Sequence, residues 1–247
     1  MPLYRHYFRR LYDVIESVIG SQGPKIEIVA GWMADSIAEG GVVHLFGSGH
    51  SHLIAEEVFH RAGSLLPLNP ILDANLTFLG SVNATLLERA NGYGEVIVDS
   101  QNIRAGEVVI VISNSGVNPV PIDVALRAKE KGAKTVAIAS VENYRDVPSR
   151  HRSGMRLAEV VDLAIDSQVP HGDALLDLPG QRSLVGGVST AVGVALINGI
   201  VVETADVMVR RGIDPPVIPS MNVPDGDELM AKLVATYGDR LPLLRRA

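Results

Sequence analysis

Two short clusters carry the residue types that hold an oxyanion: Gly47-Ser48-Gly49-His50-Ser51 and Ser113-Asn114-Ser115-Gly116. Glycine lets a backbone turn tightly and approach a ligand, and a helix that starts just beyond it points unpaired N–H groups outward. Serine hydroxyls add donors that rotate to suit the acceptor. Either cluster alone is a common strand-to-helix turn. In the second, an N-cap and turn would account for Ser115 but not for Ser113. Two such clusters on neighbouring strands point to a phosphate ester. A dinucleotide fingerprint would want a third glycine at position 52, where His52 stands, and this weakens a nucleotide-dependent oxidoreductase.

Acid–base chemistry has its own candidates. A helix expected from Ser51 onward sets Ile54, Ala55, Val58, Phe59 and Ala62 on one apolar arc, with His52, Glu56 and His60 in a polar line beside it. Glu57 and Arg61 fall on the next strip as a solvated ion pair. Side chains one turn apart can share a metal ion, but His52 and His60 would lie about 12 Å apart along the axis. One ion would take His52 with Glu56, or Glu56 with His60, completed by His50 or His171. No metal or other cofactor is assigned. Moving a proton on and off a bound ligand suits a carboxylate paired with a histidine. Glu56 is the first choice of base, His171 of its acid partner, and Glu203 is held in reserve because it ends an otherwise uncharged helix. His44, inside an apolar run, fits a packed, hydrogen-bonded histidine.

The elements that must position these residues alternate. Apolar β-branched runs at 42–46, 107–113, 134–140, 161–167 and 174–179 read as strands. Helical patterns cover 3–19, 24–39, the stretch after Ser51, 83–91, 119–131, a short segment after residue 154, 184–202 and 226–238. The first two form a helical hairpin, the second opening on Pro24. Such alternation implies a parallel sheet covered on both faces, with ligands beyond the carboxyl ends of its strands. That rule selects the loops after residues 46, 113 and 140.

Composition limits the classes. A chain of 247 residues, 47% hydrophobic and 20% charged, fits one α/β domain: helices over 1–40, sheet core over 41–180, helices over 181–247. A net charge of -6 with no basic patch argues against nucleic acid. The absence of cysteine excludes disulfides and thiol catalysis. The charged N-terminus is no secretory signal, so a cytoplasmic location is expected. Residues 184–202 are uncharged and nearly of membrane-spanning length, yet four glycines and Ser189, Thr190 and Asn198 favour a buried or subunit-interface helix over a membrane span.

The sequence resembles the SIS (sugar isomerase) domain family of phosphosugar-binding proteins. The resemblance rests on "GSGHS", "SNSG" and the separation of about 65 residues between Ser48 and Ser113. More narrowly, "FGSGHSHLIAEEVFHRAG", "SRHRSGMRLAEVVD", "PHGDALLDLPG" and "DPPVIPSMNVPDGD" resemble a bacterial subfamily labelled phosphosugar or phosphoheptose isomerase. It implies a three-layer α/β sandwich of flavodoxin-like type with a mostly parallel five-stranded sheet and a long buried helix near the C-terminus. It also implies that Ser51, Ser113 and Ser115 hold the phosphate of a sugar phosphate, helped by the Gly47–Gly49 backbone, His50, Asn114 and Gly116, and that Ser189 and Thr190 face the sugar. Many members continue the second loop with Thr or Ser two residues past the glycine, where this chain has Asn118. Several catalytic members carry a glutamate ten residues after the loop serine, where this chain has Arg61. The implied function is aldose–ketose isomerisation of a sugar phosphate, the alternative a non-catalytic phosphosugar sensor or carrier. The implied assembly is a homodimer or tetramer, in which His60 or His151 could act in a neighbouring subunit.

Overall fold

The computed structural model describes residues 2–79 and 82–244. Strands β1 (Val43–Gly47), β2 (Leu68–Ile71), β3 (Val108–Ile112), β4 (Lys134–Ala139) and β5 (Leu163–Asp166) form one parallel sheet in the order 2-1-3-4-5. Strands buried on both faces need apolar side chains at every position, as "VVIVI" supplies in β3. Side chains alternate between two cores. On one face Leu45, Ile110 and Val136 meet α1 (Leu3–Ala38), α2 (His52–Glu57) and α7 (Ser189–Arg210). On the other, Phe46, Val109 and Val111 meet α4 (Tyr93–Asp99), α5 (Pro119–Glu130) and α6 (Leu157–Val160). Helix α3 (Val82–Leu87) precedes α4, and α8 (Gly226–Tyr237) closes the fold.

Several boundaries differ from the expectation. The N-terminal hairpin is one 36-residue helix with Pro24 inside it. A proline there removes one donor and crowds the carbonyl four residues back, a cost of about 3 kcal/mol. The carbonyl belongs to Gly20, and Val29, Ala30, Met33, Ala34 and Ile37 beyond the proline are fully buried. Packing therefore overrides the break. The fifth strand of the sheet is β2, with Asn69 and Pro70 in its middle, rather than the segment at 174–179. Proline is tolerated because β2 is an edge strand. Residues Ala174–Leu176 instead form β6, which pairs antiparallel with β7 (Val185–Gly187). The helix after Ser51 ends at Glu57, and His60 takes a left-handed φ of 50°, so the His52–Glu56–His60 line does not form. The long apolar helix starts at Ser189 and lies in the layer with α1, where Thr204 Oγ1 reaches Met33 Sδ at 3.8 Å.

Below the sheet lies a buried polar network. Glu107 accepts from the Val42 N–H (3.0 Å), the Arg104 N–H (2.8 Å) and Arg240 Nη2 (2.6 Å), and meets His44 Nε2 at 3.1 Å. His44 Nδ1 faces Asn69 Nδ2 at 3.0 Å, so this histidine is hydrogen-bonded core, as its apolar setting implied. Burial pushes the Glu107 carboxyl up, but the hydrogen bonds from His44, Arg104, Val42 and Arg240 outweigh it and hold it at about 2 against an ordinary 4.5. Because the folded value lies below the unfolded one, the stabilisation is complete above pH 4.5 and is lost as pH falls toward 2. It amounts to roughly 3 kcal/mol. Urea unfolding measured from pH 7 to pH 2 should show this acid limb, and Glu107→Gln should lower stability at pH 7 and remove the limb. An unchanged limb in the variant would assign it to other carboxylates.

Candidate functional site

In the order 2-1-3-4-5 the chain leaves β1 in one direction and enters β3 in the other, so a crevice opens beyond their carboxyl ends. Gly47 pairs with Ile112 across it, and the two serine-bearing loops begin at those residues. The first loop coils immediately: the Ser51 N–H donates to Ser48 O at 3.1 Å, and Gly49 has a φ of 53°. A Cβ on Gly47 would stand 2.4 Å from Ser51 O, so only glycine admits this turn. In the second loop Ser113 Oγ accepts from the Gly116 N–H at 3.3 Å and Gly116 has a φ of 63°. Ser113 is thus itself part of the turn, while Ser115 is partly exposed. Asn114 O accepts from the Ser140 N–H, and Asn114 Oδ1 is buried without a partner among the described residues.

One carboxylate joins the loops. Glu88, just after α3, accepts from Ser48 Oγ (2.6 Å) on one oxygen and from Asn118 Nδ2 (2.8 Å) on the other. Its carbonyl accepts from the Val120 N–H at 3.1 Å, which fixes it to the start of α5. Phe78 forms an aromatic wall nearby, edge-on to His50 at 4.6 Å and to His52 at 4.8 Å. The segment bearing Phe78 is tied down by Asp73, which accepts from the Asn75 N–H and the Tyr93 hydroxyl, both at 2.8 Å. Helix α7 arrives from the other side: Gly193 lies against Ile54 of α2, closer than a Cβ would allow. That contact brings Ser189 and Thr190, one turn earlier, toward the first loop.

The other candidates are placed as follows. Glu56 is exposed, with His52 Nε2 at 3.7 Å, and His52 Nδ1 bonds to Gly49 O. Glu57 and Arg61 form the expected surface ion pair. The Ser189 hydroxyl donates to Asp173 Oδ2 at 2.7 Å, and Asp173 Oδ1 accepts from the Val188 and Ser189 N–H groups, so this carboxylate holds the first turn of the helix and engages the serine. His171 is exposed and tilted against Tyr144 at 4.8 Å. Tyr144 lines a cavity of about 180 Å³ with Ser115, Gly116, Ser140, Arg156 and Glu159, one strand beyond the crevice. Glu203 lies roughly 21 Å along α7 from Ser189 and pairs with Arg210 at 2.8 Å. His151 is 5% exposed, with Asp123 Oδ1 3.0 Å from Nε2 and Ser153 Oγ 2.7 Å from Nδ1, so both ring nitrogens are engaged within the chain. Among the described residues no three His, Asp or Glu side chains converge as metal ligands do.

The crevice thus gathers Gly47–Ser51, Ser113–Gly116 and the head of α7, while Glu56 is exposed beside His52, His171 rests on Tyr144 and Glu203 pairs with Arg210 far along α7. Glu88 is absent from the expectation because nothing local marks it. It is one carboxylate at the end of a six-residue helix, and only the fold brings it between two loops distant in sequence.

The SIS domain family model matches residues 6–140. The chain is 41% identical to a UPF0309 protein of Geobacillus kaustophilus, over 98% of this chain and 97% of that one, and 40% identical to one of Listeria innocua, over 98% of each. Among solved structures, a phosphoheptose isomerase from Francisella tularensis aligns with a TM-score of 0.55 at 15% identity, covering 82% of this chain and 96% of that one. The Vibrio vulnificus NanR protein, complexed with ManNAc-6P, aligns with a TM-score of 0.54 at 11% identity, covering 95% and 69%. At these identities the likeness concerns the fold.

The first loop depends on backbone room at one position. Gly47→Ala sets a methyl against the Ser51 carbonyl and should destabilise by about 1–3 kcal/mol while displacing the loop. Chemical denaturation checks the first effect, and loss of phosphate-induced thermal stabilisation checks the second.

Proposed function

This chain belongs to the SIS-domain family and, within it, to the UPF0309 proteins, and on that premise we propose that it binds a sugar phosphate in the crevice between β1 and β3 and interconverts its aldose and ketose forms. The observation that carries this reading is a carboxylate, Glu88, bridging the two loops whose glycines and serines suit a phosphate. Ser51, Ser113 and Ser115, with the backbone of Gly47–Gly49 and Gly116, hold the phosphate. The Phe78 ring, packed edge-to-face with His50, offers an apolar surface beside it for the sugar carbons.

Glu88 is then the base. It takes the C2 proton of the open-chain aldose, and the C–H electron pair becomes the C1–C2 double bond of an enediolate. The hydroxyl proton passes from O2 to O1, and the proton held by Glu88 returns to C1 to give the ketose. Positioned proton transfer of this kind contributes about 10²–10⁴-fold in rate. Ring opening falls to a histidine: His50 at the rim, or His171 if the sugar extends toward β4. A phosphosugar sensor would keep the loops and the phosphate contacts without turnover. Arg61, standing where several catalytic relatives carry glutamate, is the residue that favours it. Sugar phosphates are intracellular metabolites, which suits a cytoplasmic protein.

We also propose that the protein works as a homodimer or tetramer. Tyr4, Phe8, Tyr12 and Ile19 run along one exposed strip of α1, each more than half exposed, and Val202 and Val209 are exposed on the adjoining α7. Between the two helices lies an apolar groove of about 180 Å³ lined by Ile15, Ile19, Ile26, Leu196 and Gly199. A second copy presenting the same strip covers both faces with one symmetric contact.

Three measurements test these proposals. Replacing Ser113 and Ser115 together by Ala should abolish phosphosugar-induced stabilisation while the protein stays folded; unchanged binding would refute their role. In deuterated buffer, proton NMR of a sugar-phosphate panel should show solvent exchange at C2. Glu88→Gln should slow it by 10²-fold or more with binding kept, whereas Glu56→Gln should slow it less; the reverse order would move the base to Glu56. Sedimentation should give a dimer or larger species, and Phe8→Asp with Ile19→Asp should release monomers.

A further inference from the structure

Residues 149–157 run beside the second serine loop and the turn at Asn91 as a strap fixed at several points. The Arg150 N–H donates to Val117 O (2.8 Å), the Arg152 N–H to Asn91 Oδ1 (2.9 Å) and the Leu157 N–H to Gly116 O (2.8 Å). Between them His151 is clamped to Asp123, which is 1% exposed and whose other oxygen accepts from the Gly92 N–H at 2.6 Å. The strap, α5 and the turn after Glu88 are therefore locked to one another. Asn118, at the start of α5, bonds Glu88, so the strap's side chains have defined positions relative to that carboxylate.

The strap carries three arginines that differ in their partners. Arg152 pairs with Glu95, and Arg156 pairs with Glu159 at 2.7 Å. Arg150 has no carboxylate within ion-pair distance among the described residues. Its Nη1 donates instead to Asn118 Oδ1 at 2.7 Å, and Asn118 donates to Glu88 from its other end. A full positive charge thus stands one neutral amide away from the carboxylate that bridges the loops. Arg150 is exposed, and four of its five N–H donors are not used in that bond. Glu88 already has a hydrogen-bond donor on each oxygen. What lacks a counterpart beside it is a partner for the cation.

We propose that Arg150 is that site's oxyanion-binding residue, donating to the oxygens on the two substrate carbons between which Glu88 moves a proton. The proposal rests on the isomerase reading of the crevice and deepens it. As Glu88 removes the C2 proton, the carbonyl π pair settles on O1, and the guanidinium fork carries that negative charge across O1 and O2 until the proton returns at C1. The site then selects a ligand class beyond phosphate alone: compounds whose far end is anionic and planar, as an aldonate is. Asn118 keeps the cation available, because an amide fixes the guanidinium without neutralising it, as an aspartate there would.

Matched aldonate and alditol phosphates of five, six and seven carbons, titrated by calorimetry, test this on the intact protein. The wild type should bind the aldonate of at least one pair tenfold or more tighter than its alditol. Arg150→Met should erase that preference and leave the alditol phosphate within about twofold, while Arg150→Lys should retain part of it. In the exchange assay Arg150→Met should lower kcat by 10²-fold or more with KM changed only a few-fold. A wild type without the preference, or a methionine variant that keeps it, overturns the proposal and leaves the phosphosugar reading standing. Binding of no member of any pair overturns the phosphosugar reading, and the proposal with it. The preference without C2 exchange on any sugar phosphate overturns the isomerase, and with it the role of Arg150 in turnover, while upholding Arg150 as the anion-binding residue.

Discussion

Every strand of this sheet runs the same way, so every strand delivers its loop to the same edge. That is the constraint on which the rest depends. With β1 and β3 adjacent and their onward connections diverging, two loops that begin at Gly47 and Ile112 must face each other across a crevice. Glu88 can bridge Ser48 and Asn118 only because the sheet has already brought those residues together. Neither serine loop would be more than a turn by itself. The chemistry is a property of the pairing.

The opposite edge of the sheet bears a different load. There Glu107 gathers His44 from β1 and Arg240 from the chain's last turns, and its charge is held by hydrogen bonds rather than by water. Leaving such a group unpaired in the interior is costly, so the network forces these distant segments to assemble together or not at all. Polar residues at one edge are thus tied to one another by the fold, whereas at the other edge several remain accessible.

The sequence made the layers legible where period and composition agree. The apolar runs of β1, β3, β4 and β5, the helix of α5 closing at Glu130, and both serine loops follow directly from them. It misled where a local signal was overruled by packing: Pro24 reads as a break but lies within α1, and Pro70 reads as loop but sits in β2. The histidine line after Ser51 dissolved because α2 stops at Glu57, before His60 can follow. Glu88 and Arg150 were not legible at all. Their neighbours are remote in sequence, and a lone carboxylate or arginine on a short polar segment carries no periodic mark. The strap motif "SRHRSGMR" stood out in sequence, but only the fold distinguishes its amide-bound arginine from its two ion-paired ones.

Helix α1 has a consequence for how the chain comes to be folded. Its buried stripe closes against α7, with Met33 meeting Thr204, Asp35 meeting Arg211, and Tyr7 reaching Gly187 near the head of that helix. A helix is thus sealed by one synthesised well after it. During translation α1 must wait, apolar stripe uncovered, while some 150 residues emerge, and contacts of such long sequence separation form late and slowly.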